Sequence, residues 1–566
     1  MQKLCRSLIL LITLVTVIAC AGPATEPATP AEPAGEGGAV ATAHPLATEA
    51  GREILAAGGN AFDAAVAVSA ALAVVEPFGS GVGGGGFWLL HEADSDRSIM
   101  VDGRETAPAE STADMYIDED GQVDTDLSRN GPLAAAIPGQ PAALVHISEN
   151  YGNLSLAENL APAIRYAREG FEVGERYVRG VRFKKEVLER WPAGVEVFLD
   201  EGEVPEEGWV LKQPDLAETL ERLADYGHDG FYRGELAERM VEGVREAGGI
   251  WRLQDLADYQ VVEREPIVSE YRGSRITAAS PPSAGGVALA TTLNILEGFD
   301  LENLDAATRT HLISEALRRA YRDRGAWLGD PDFVDMPLDK LTHPWYAAGL
   351  RAGIRSDQAT PSDALPGVVD DGEGPETTHF SIIDRAGNRV GGTLSINFWF
   401  GSGFMPEGTG VILNNEMDDF SARPGSPDGF ELVSSAANAI EPGKRMLSSM
   451  TPTFIEDDRG VAVLGSPGGS RIITTVLHGI LAWKEGLEPE EIVEQRRFHH
   501  QYRPDHISYE PGALSRDTID VLESKGHKVE PRGRPWGNLQ LVIWDRMTGE
   551  LEAASDPRGE GSPDVY

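Results

Sequence analysis

Cysteine is almost absent from this chain of 566 residues: Cys5 and Cys20 are the only two, and both fall in the first twenty positions. The body beyond them carries no thiol, which excludes a cysteine nucleophile, a Cys-ligated metal centre and an internal disulfide. Positive charge is scarce as well. Lys and Arg number 49, only nine of them Lys, against 90 Asp and Glu, for a formal net charge of −41. Such a surface repels phosphate backbones, and no basic stripe in the sequence offsets it, so nucleic-acid binding is excluded. An acidic, Lys-poor surface suits salty water, and a biased genome gives the same balance. Long apolar runs are missing too: the one at residues 8–19 spans about twelve positions, too few for an ordinary membrane-spanning helix. No period of 20 to 50 residues repeats, which argues against a solenoid. What is present is ordinary globular composition, 41% hydrophobic and 25% charged, too apolar for a disordered chain.

Lys3 and Arg6 precede the apolar run, the arrangement of a secretory signal. The run ends in Val17-Ile18-Ala19-Cys20, which resembles a bacterial lipobox whose Cys20 is lipidated and becomes the first residue. A plain signal peptide cut near Ala21 is the other reading. Residues 21–38 are Pro, Ala, Glu and Gly with almost nothing to bury, and read as a linker. The expected organisation is a lipoprotein signal at 1–19, a linker at 20–38 and a folded body from residue 39. Its expected place is the periplasm or cell envelope, anchored by lipid to a bacterial membrane.

The periodicity predicts a helix over 48–57, stopped by Gly58-Gly59, and a second one capped by Asn60 with Asp63 three residues on. This second helix is apolar on nearly every face, so it belongs in a core. The glycine run 80–86 lacks the Lys-Ser or Lys-Thr that follows a phosphate loop and reads as close backbone packing. Residues 150–350 alternate amphipathic helical stretches (156–168, 216–226, 306–327) with polar loops. Segment 356–376 is polar, acidic and rich in breakers, and predicts an exposed, mobile loop. Strands follow, pairing 378–384 with 389–396, 452–456 with 461–464 and 539–544 with 551–554, with a helix over 470–485. A helix-rich leading half followed by strands implies a layered α+β body.

The sharpest chemical junction is Glu376-Thr377-Thr378-His379, where the acidic loop meets the first strand. A threonine hydroxyl is a poor nucleophile without a base beside it, and one solution is its own α-amine, which an internal Thr acquires only when the preceding bond is cut. On these four residues alone, plain β-propensity explains the threonine pair better. His499-His500 invites a metal reading, but neighbours in a strand point to opposite faces and no further ligands suggest themselves. Gly465-Ser466-Pro467-Gly468 lacks the order of a nucleophile elbow, and Pro281-Pro282-Ser283 reads as a turn before a helix.

A series of blocks changes the weight of the junction. Thr377-Thr378-His379-Phe380-Ser381, Ser395-Ile396-Asn397, the run 413–420 (LNNEMDDF), the run 447–453 (LSSMTPT) and the run 465–471 (GSPGGSR) come in order. Upstream stand Thr48-Glu49-Ala50-Gly51, the glycines 83–86 and the run 102–108 (DGRETAP). Together they resemble the γ-glutamyltranspeptidase family of N-terminal-nucleophile hydrolases, from about residue 39 to the C-terminus.

The resemblance implies a four-layer αββα sandwich formed jointly by two subunits, 39–376 and 377–566, from one self-cleaved precursor. It implies cleavage between Glu376 and Thr377, with Thr377 the nucleophile and its freed α-amine the general base. The family's supporting threonine hydroxyl falls on Ser395, which keeps the hydroxyl and loses a methyl. Asn397, Glu416 and Asp419 match the positions that hold the substrate α-ammonium, and Arg104, with Ser448 and Ser449, those that hold the α-carboxylate. Gly468 and Gly469 match the oxyanion hole, and 422–437 the lid loop of many bacterial members. The implied activity is γ-glutamyl transfer from glutathione and its conjugates to water or to an amino acid or peptide, with no metal or organic cofactor. The alternatives are a cephalosporin or glutaryl acylase, a poly-γ-glutamate processing enzyme, or an uncut lipoprotein that binds γ-glutamyl peptides. Acylases do not require the full ammonium cage, so the four polar residues Arg104, Asn397, Glu416 and Asp419 favour a γ-glutamyl substrate.

Overall fold

Successive residues of a strand point to opposite faces, and in this protein the two faces enter two different cores. Val40, Trp88, Leu90, Ile382, Val390 and Leu394 pack with the helices Pro45–Ala56, Ala61–Val75 and Leu156–Glu169. Their neighbours Ala39, Ala41, Phe87, Leu89 and Ile383 pack instead with Phe454, Ala462, Val463 and Val542 of a second sheet. That sheet is covered in turn by the helices Gly285–Leu296, Ala306–Trp327 and Arg471–Lys484. The layers run helix, sheet, sheet, helix: an αββα sandwich of the α+β class. The computed structural model describes residues 37–365, 377–421 and 436–566. Cys20, the signal, nearly all of the linker, Glu376 and most of the 422–437 loop lie outside the described residues.

The first sheet has seven strands, in the order Ser562–Val565, Gly38–Thr42, Thr378–Asp384, Arg389–Ser395, Gly85–Glu92, Arg97–Gly103 and Val262–Arg264. The second has six, in the order Leu551–Ser555, Gln540–Asp545, Gly460–Gly465, Thr453–Glu456, Ser274–Ala278 and Ile267–Tyr271. Residues before position 376 supply four strands of the first sheet and two of the second. Neither half of the chain holds a complete sheet.

The helix Ala61–Val75 shows how local and tertiary terms agree. Asn60 accepts from the N–H groups of Phe62 and Asp63, and the Asp63 side chain accepts from the Asn60 N–H, a reciprocal cap worth about 1 kcal/mol. All fifteen residues are buried, so packing rather than propensity fixes the helix. The helix 306–327 and the strand 378–384 fall where periodicity predicts.

The helix-rich leading half also supplies six strands of the two central sheets. One expectation needs correction: the part of segment 356–376 that is described is not simply exposed, since Ala359 and Ser362 are buried and Ser362 Oγ donates to Tyr502 O at 2.6 Å.

Candidate active site

Strand register assembles the first part of the site. Thr378 stands opposite Leu394 in the antiparallel pair, so Thr377, just before the strand, comes beside Ser395. Their hydroxyl oxygens are 3.4 Å apart, and both residues are buried. Ser395 Oγ accepts the Asn397 N–H at 2.8 Å. Asn397 has φ 75°, a left-handed conformation that Asn tolerates better than most residues, and its side-chain amide donates to Asn415 O at 3.1 Å. Thr378 Oγ1 donates to Glu76 Oε2 at 2.7 Å, and Glu76 in turn meets Arg176 at 3.3 Å. The glycine run has the packing role expected of it. A Cβ on Gly84 would stand 2.1 Å from Ser395 O, and one on Gly83 2.0 Å from Ile412 O, so only glycine lets these backbones meet.

A buried charge cluster forms the second part. Arg104 is 1% exposed; its guanidinium lies 2.7 Å from Glu416, 2.5 Å from Asp419 and 3.5 Å from Glu105. It also donates to the carbonyls of Met446 and Leu447 at 3.3 and 3.4 Å, next to Ser448. One cation thus faces three carboxylates. Burial pushes Glu105 and Glu416 up to about 7 against the opposing pull of Arg104, and pushes Asp419 well above the carboxylate range. The same three groups hold Arg104 above the ordinary arginine value although burial opposes its charge. Glu105 Oε1, Glu416 Oε1 and Asp419 Oδ1 are buried without a partner among the described residues. Buried carboxylate oxygens in that state are acceptors for a further cation. The predicted grips for the two ends of an amino-acid headgroup are therefore paired with each other.

The third part is the turn before the helix Arg471–Lys484. Gly468 and Gly469 have φ 132° and 57°, and their carbonyls accept from Arg471 and Ile472. Their own N–H groups bond to no described residue; backbone donors at a helix N-terminus are the kind of group that suits a developing oxyanion. Gly465, at the end of the preceding strand, sits on the His379 ring, where a Cβ would be 2.3 Å away. This brings the glycine turn over the start of the strand Thr378–Asp384. Ser448 Oγ accepts from Met450 N, and Ser449 Oγ accepts from Arg324 at 3.1 Å.

Thr377, Ser395 and Asn397 are thus joined in one hydrogen-bonded chain that reaches Asn415, the neighbour of Glu416, and Arg104, Glu416 and Asp419 form one ionic cluster. No hydrogen bond ties Gly468, Gly469, Ser448 or Ser449 to either among the described residues; sequence and packing set them nearby. Sequence reasoning missed Glu105, although it adjoins Arg104 in a quoted block. It also missed Asn414, whose amide binds Gly83 O and Ala136 O while its Oδ1 accepts the Glu416 N–H. Both roles depend on contacts far apart in sequence, and no local signal carries them.

His499 bonds to Thr474 and Gln501, and His500 lies 3.4 Å from Asp505, so the two do face different partners. Ser283 Oγ donates to Met450 O. His311, Glu315 and His527 cluster elsewhere, but Arg318 and Arg319 already neutralise Glu315.

An αββα sandwich with a threonine at the head of a central strand defines a hydrolase of the N-terminal-nucleophile class. Known proteins narrow that class. The profile described as Gamma-glutamyltranspeptidase matches residues 47–566, so the chain belongs to the γ-glutamyltranspeptidase family. The "Glutathione hydrolase proenzyme" of Escherichia coli (strain K12) is 41% identical over 527 residues, covering 92% of this chain and 90% of that one. Among solved structures, a cephalosporin acylase from Bacillus halodurans aligns with TM-score 0.83 at 28% identity, over 98% of this chain and 99% of its own. A γ-glutamyltranspeptidase chain from Helicobacter pylori aligns with TM-score 0.56 at 36% identity, over 61% of this chain and 97% of its own.

Proposed function

We propose that this protein is a self-processing γ-glutamyltransferase and glutathione hydrolase. The observation that carries the reading is the pairing of Arg104 with Glu416 and Asp419, each of which keeps one buried oxygen without a partner among the described residues. Arg104 suits an α-carboxylate and the free oxygens suit an α-ammonium, while Asn397 bonds to Asn415, the neighbour of Glu416; a glutamyl headgroup satisfies both. The acylase reading, which the Bacillus halodurans likeness brings forward, and that of a poly-γ-glutamate processing enzyme do not account for this cage as directly.

In the proposed maturation Thr377 Oγ1, supported by Ser395, attacks the carbonyl carbon of Glu376. The peptide N–C bond breaks, an ester forms, and water hydrolyses it to leave Thr377 with a free α-amine. The subunits are then 39–376 and 377–566, held together as a heterodimer. In turnover the α-amine takes the Oγ1 proton as the oxygen attacks the γ-carbonyl carbon. The N–H groups of Gly468 and Gly469 receive the negative oxygen; losing one such donor typically costs ~100-fold or more. The C–N bond breaks, the α-ammonium returns its proton to the departing amine, and a γ-glutamyl ester remains. Water or an amine repeats the sequence in reverse. Ser448 and Ser449 add hydroxyls to the carboxylate grip.

The reading extends to an exported proenzyme whose residues 1–19 are removed and whose Cys20 carries a lipid, with the linker 20–38 tethering the body in the periplasm. The test of function is release of nitroaniline from γ-glutamyl-4-nitroanilide. Turnover by the wild type and none by Thr377→Ala is expected; equal turnover by both would sink the mechanism.

A further inference from the structure

Ser449 is held from the other side of position 376. Arg324, in the last turn of the helix Ala306–Trp327, donates from its guanidinium to Ser449 Oγ at 3.1 Å, and both residues are buried. Among the described residues this is the one hydrogen bond that the Ser449 side chain makes.

The direction of that bond is what matters. A guanidinium has five donors and no acceptor, whereas a hydroxyl has one proton and two lone pairs. Arg324 therefore occupies a lone pair of Ser449 and cannot take its proton. The O–H is left to donate elsewhere, and no described residue accepts it. Ser448 has the same polarity for a local reason: its Oγ accepts the Met450 N–H at 3.1 Å and bonds to no other described residue. Two neighbouring hydroxyls thus keep protons that call for an acceptor, and an ionised carboxylate is acceptor only. A charged donor behind Ser449 also polarises its hydroxyl and strengthens what that hydroxyl donates.

The main chain places both serines beside the charge cluster. Arg104 donates to the carbonyls of Met446 and Leu447. The Leu447 N–H donates to Asn438 Oδ1 at 2.9 Å, and the Asn438 amide donates to Asp419 O at 2.7 Å. Ser448 N–H donates to Pro282 O, Ser448 O accepts the Ala284 N–H, and Thr451 Oγ1 donates to Ser449 O at 2.7 Å. With the backbone pinned on both sides, what stays adjustable at Ser449 is its side-chain torsion and hydroxyl rotor. The bond from Arg324 fixes both.

We propose that Arg324 is a positioning residue of the substrate grip: it holds the Ser449 hydroxyl as a donor to the α-carboxylate of the γ-glutamyl group, across the boundary between the two subunits. This inference rests on the γ-glutamyl reading above.

The test is a double-mutant cycle on steady-state turnover of γ-glutamyl-4-nitroanilide by the cleaved enzyme. Arg324→Gln is expected to raise the donor KM about tenfold, the size of one charge-assisted hydrogen bond, and to leave kcat within about twofold of wild type. Ser449→Ala should cost a similar amount. Because Arg324 acts through Ser449, the double variant should be no worse than the more damaged single one. Arg324→Lys, a charged but one-point donor, should show a smaller rise in KM that likewise disappears in the Ser449→Ala background, and it serves the cycle if Arg324→Gln does not fold. An Arg324 effect that persists in full without the Ser449 hydroxyl, or that falls on kcat with KM unchanged, overturns the proposal alone. No turnover by the wild type overturns the γ-glutamyl reading beneath it.

Discussion

Arg104 and Asp419 lie 2.5 Å apart, the arginine sealed from solvent and the aspartate 15% exposed. With Glu105 and Glu416 beside them, three carboxylates share one guanidinium. In the proposed reading, a substrate ammonium makes up the missing positive charge.

That shortage gives a pH signature. Glu105 and Glu416 are raised to about 7 by burial, above their ordinary 4.5, so the folded state holds their protons more tightly than the unfolded chain does. Their contribution to stability is full below pH ~4.5 and is lost as pH rises through about 7. Ammonium binding wants the opposite, ionised form. The Tm of the free protein should fall and the donor KM should improve over the same window, with apparent values that belong to the cluster rather than to one residue. A KM flat between pH 5 and 8 would contradict this.

Arg104→Lys keeps a charge among the carboxylates and loses the planar two-point grip. The expected result is a donor KM raised ~30-fold or more, about 2 kcal/mol, with self-cleavage retained. Arg104→Ala should be worse in a different way, because removing the cation strands buried carboxylates, a loss of ~3–5 kcal/mol. Thermal melts of the two variants alongside steady-state kinetics separate these effects.

Ser395→Ala removes the hydroxyl that faces Thr377 and accepts the Asn397 N–H. Self-cleavage should slow ~100-fold, in the range of losing one positioned donor at a reacting oxygen, and Ser395→Thr should restore it. A time course on denaturing gels reads both. Cleavage at the wild-type rate in the alanine variant would remove Ser395 from the mechanism.

Once cut, the two pieces should not part. Strands from both sides of position 376 interleave in both sheets: Gly38–Thr42 lies between Ser562–Val565 and Thr378–Asp384, and Ser274–Ala278 pairs with Thr453–Glu456. Separation would break these ladders and expose the inter-sheet core. Size-exclusion chromatography should give one peak holding both chains until denaturant unfolds them together. Two peaks in native buffer would contradict the shared fold.

Much of this was legible where one face of an element is polar. The helix Ala306–Trp327 and the strands Thr378–Asp384 and Arg389–Ser395 follow their sequence patterns closely. Gly38–Thr42 and Gly85–Glu92 were not legible as strands, because they are buried almost throughout and rich in Gly, Ala and large apolar residues, with no alternation to read. The site divides in the same way. Thr377, Arg104 and the glycine turn could be named from blocks of residues that resemble a family. Glu105 could not, since its role exists only where the fold brings residues 416 and 419 to Arg104.

The central claim is that Thr377 becomes an N-terminus. The intact mass of the body produced without residues 1–20, taken under denaturing conditions, tests it most directly. Two chains are predicted, the smaller beginning at Thr377, with the Thr377→Ala variant remaining a single chain that does not turn over donor. A single uncut wild-type chain that nevertheless hydrolyses γ-glutamyl-4-nitroanilide would contradict the account.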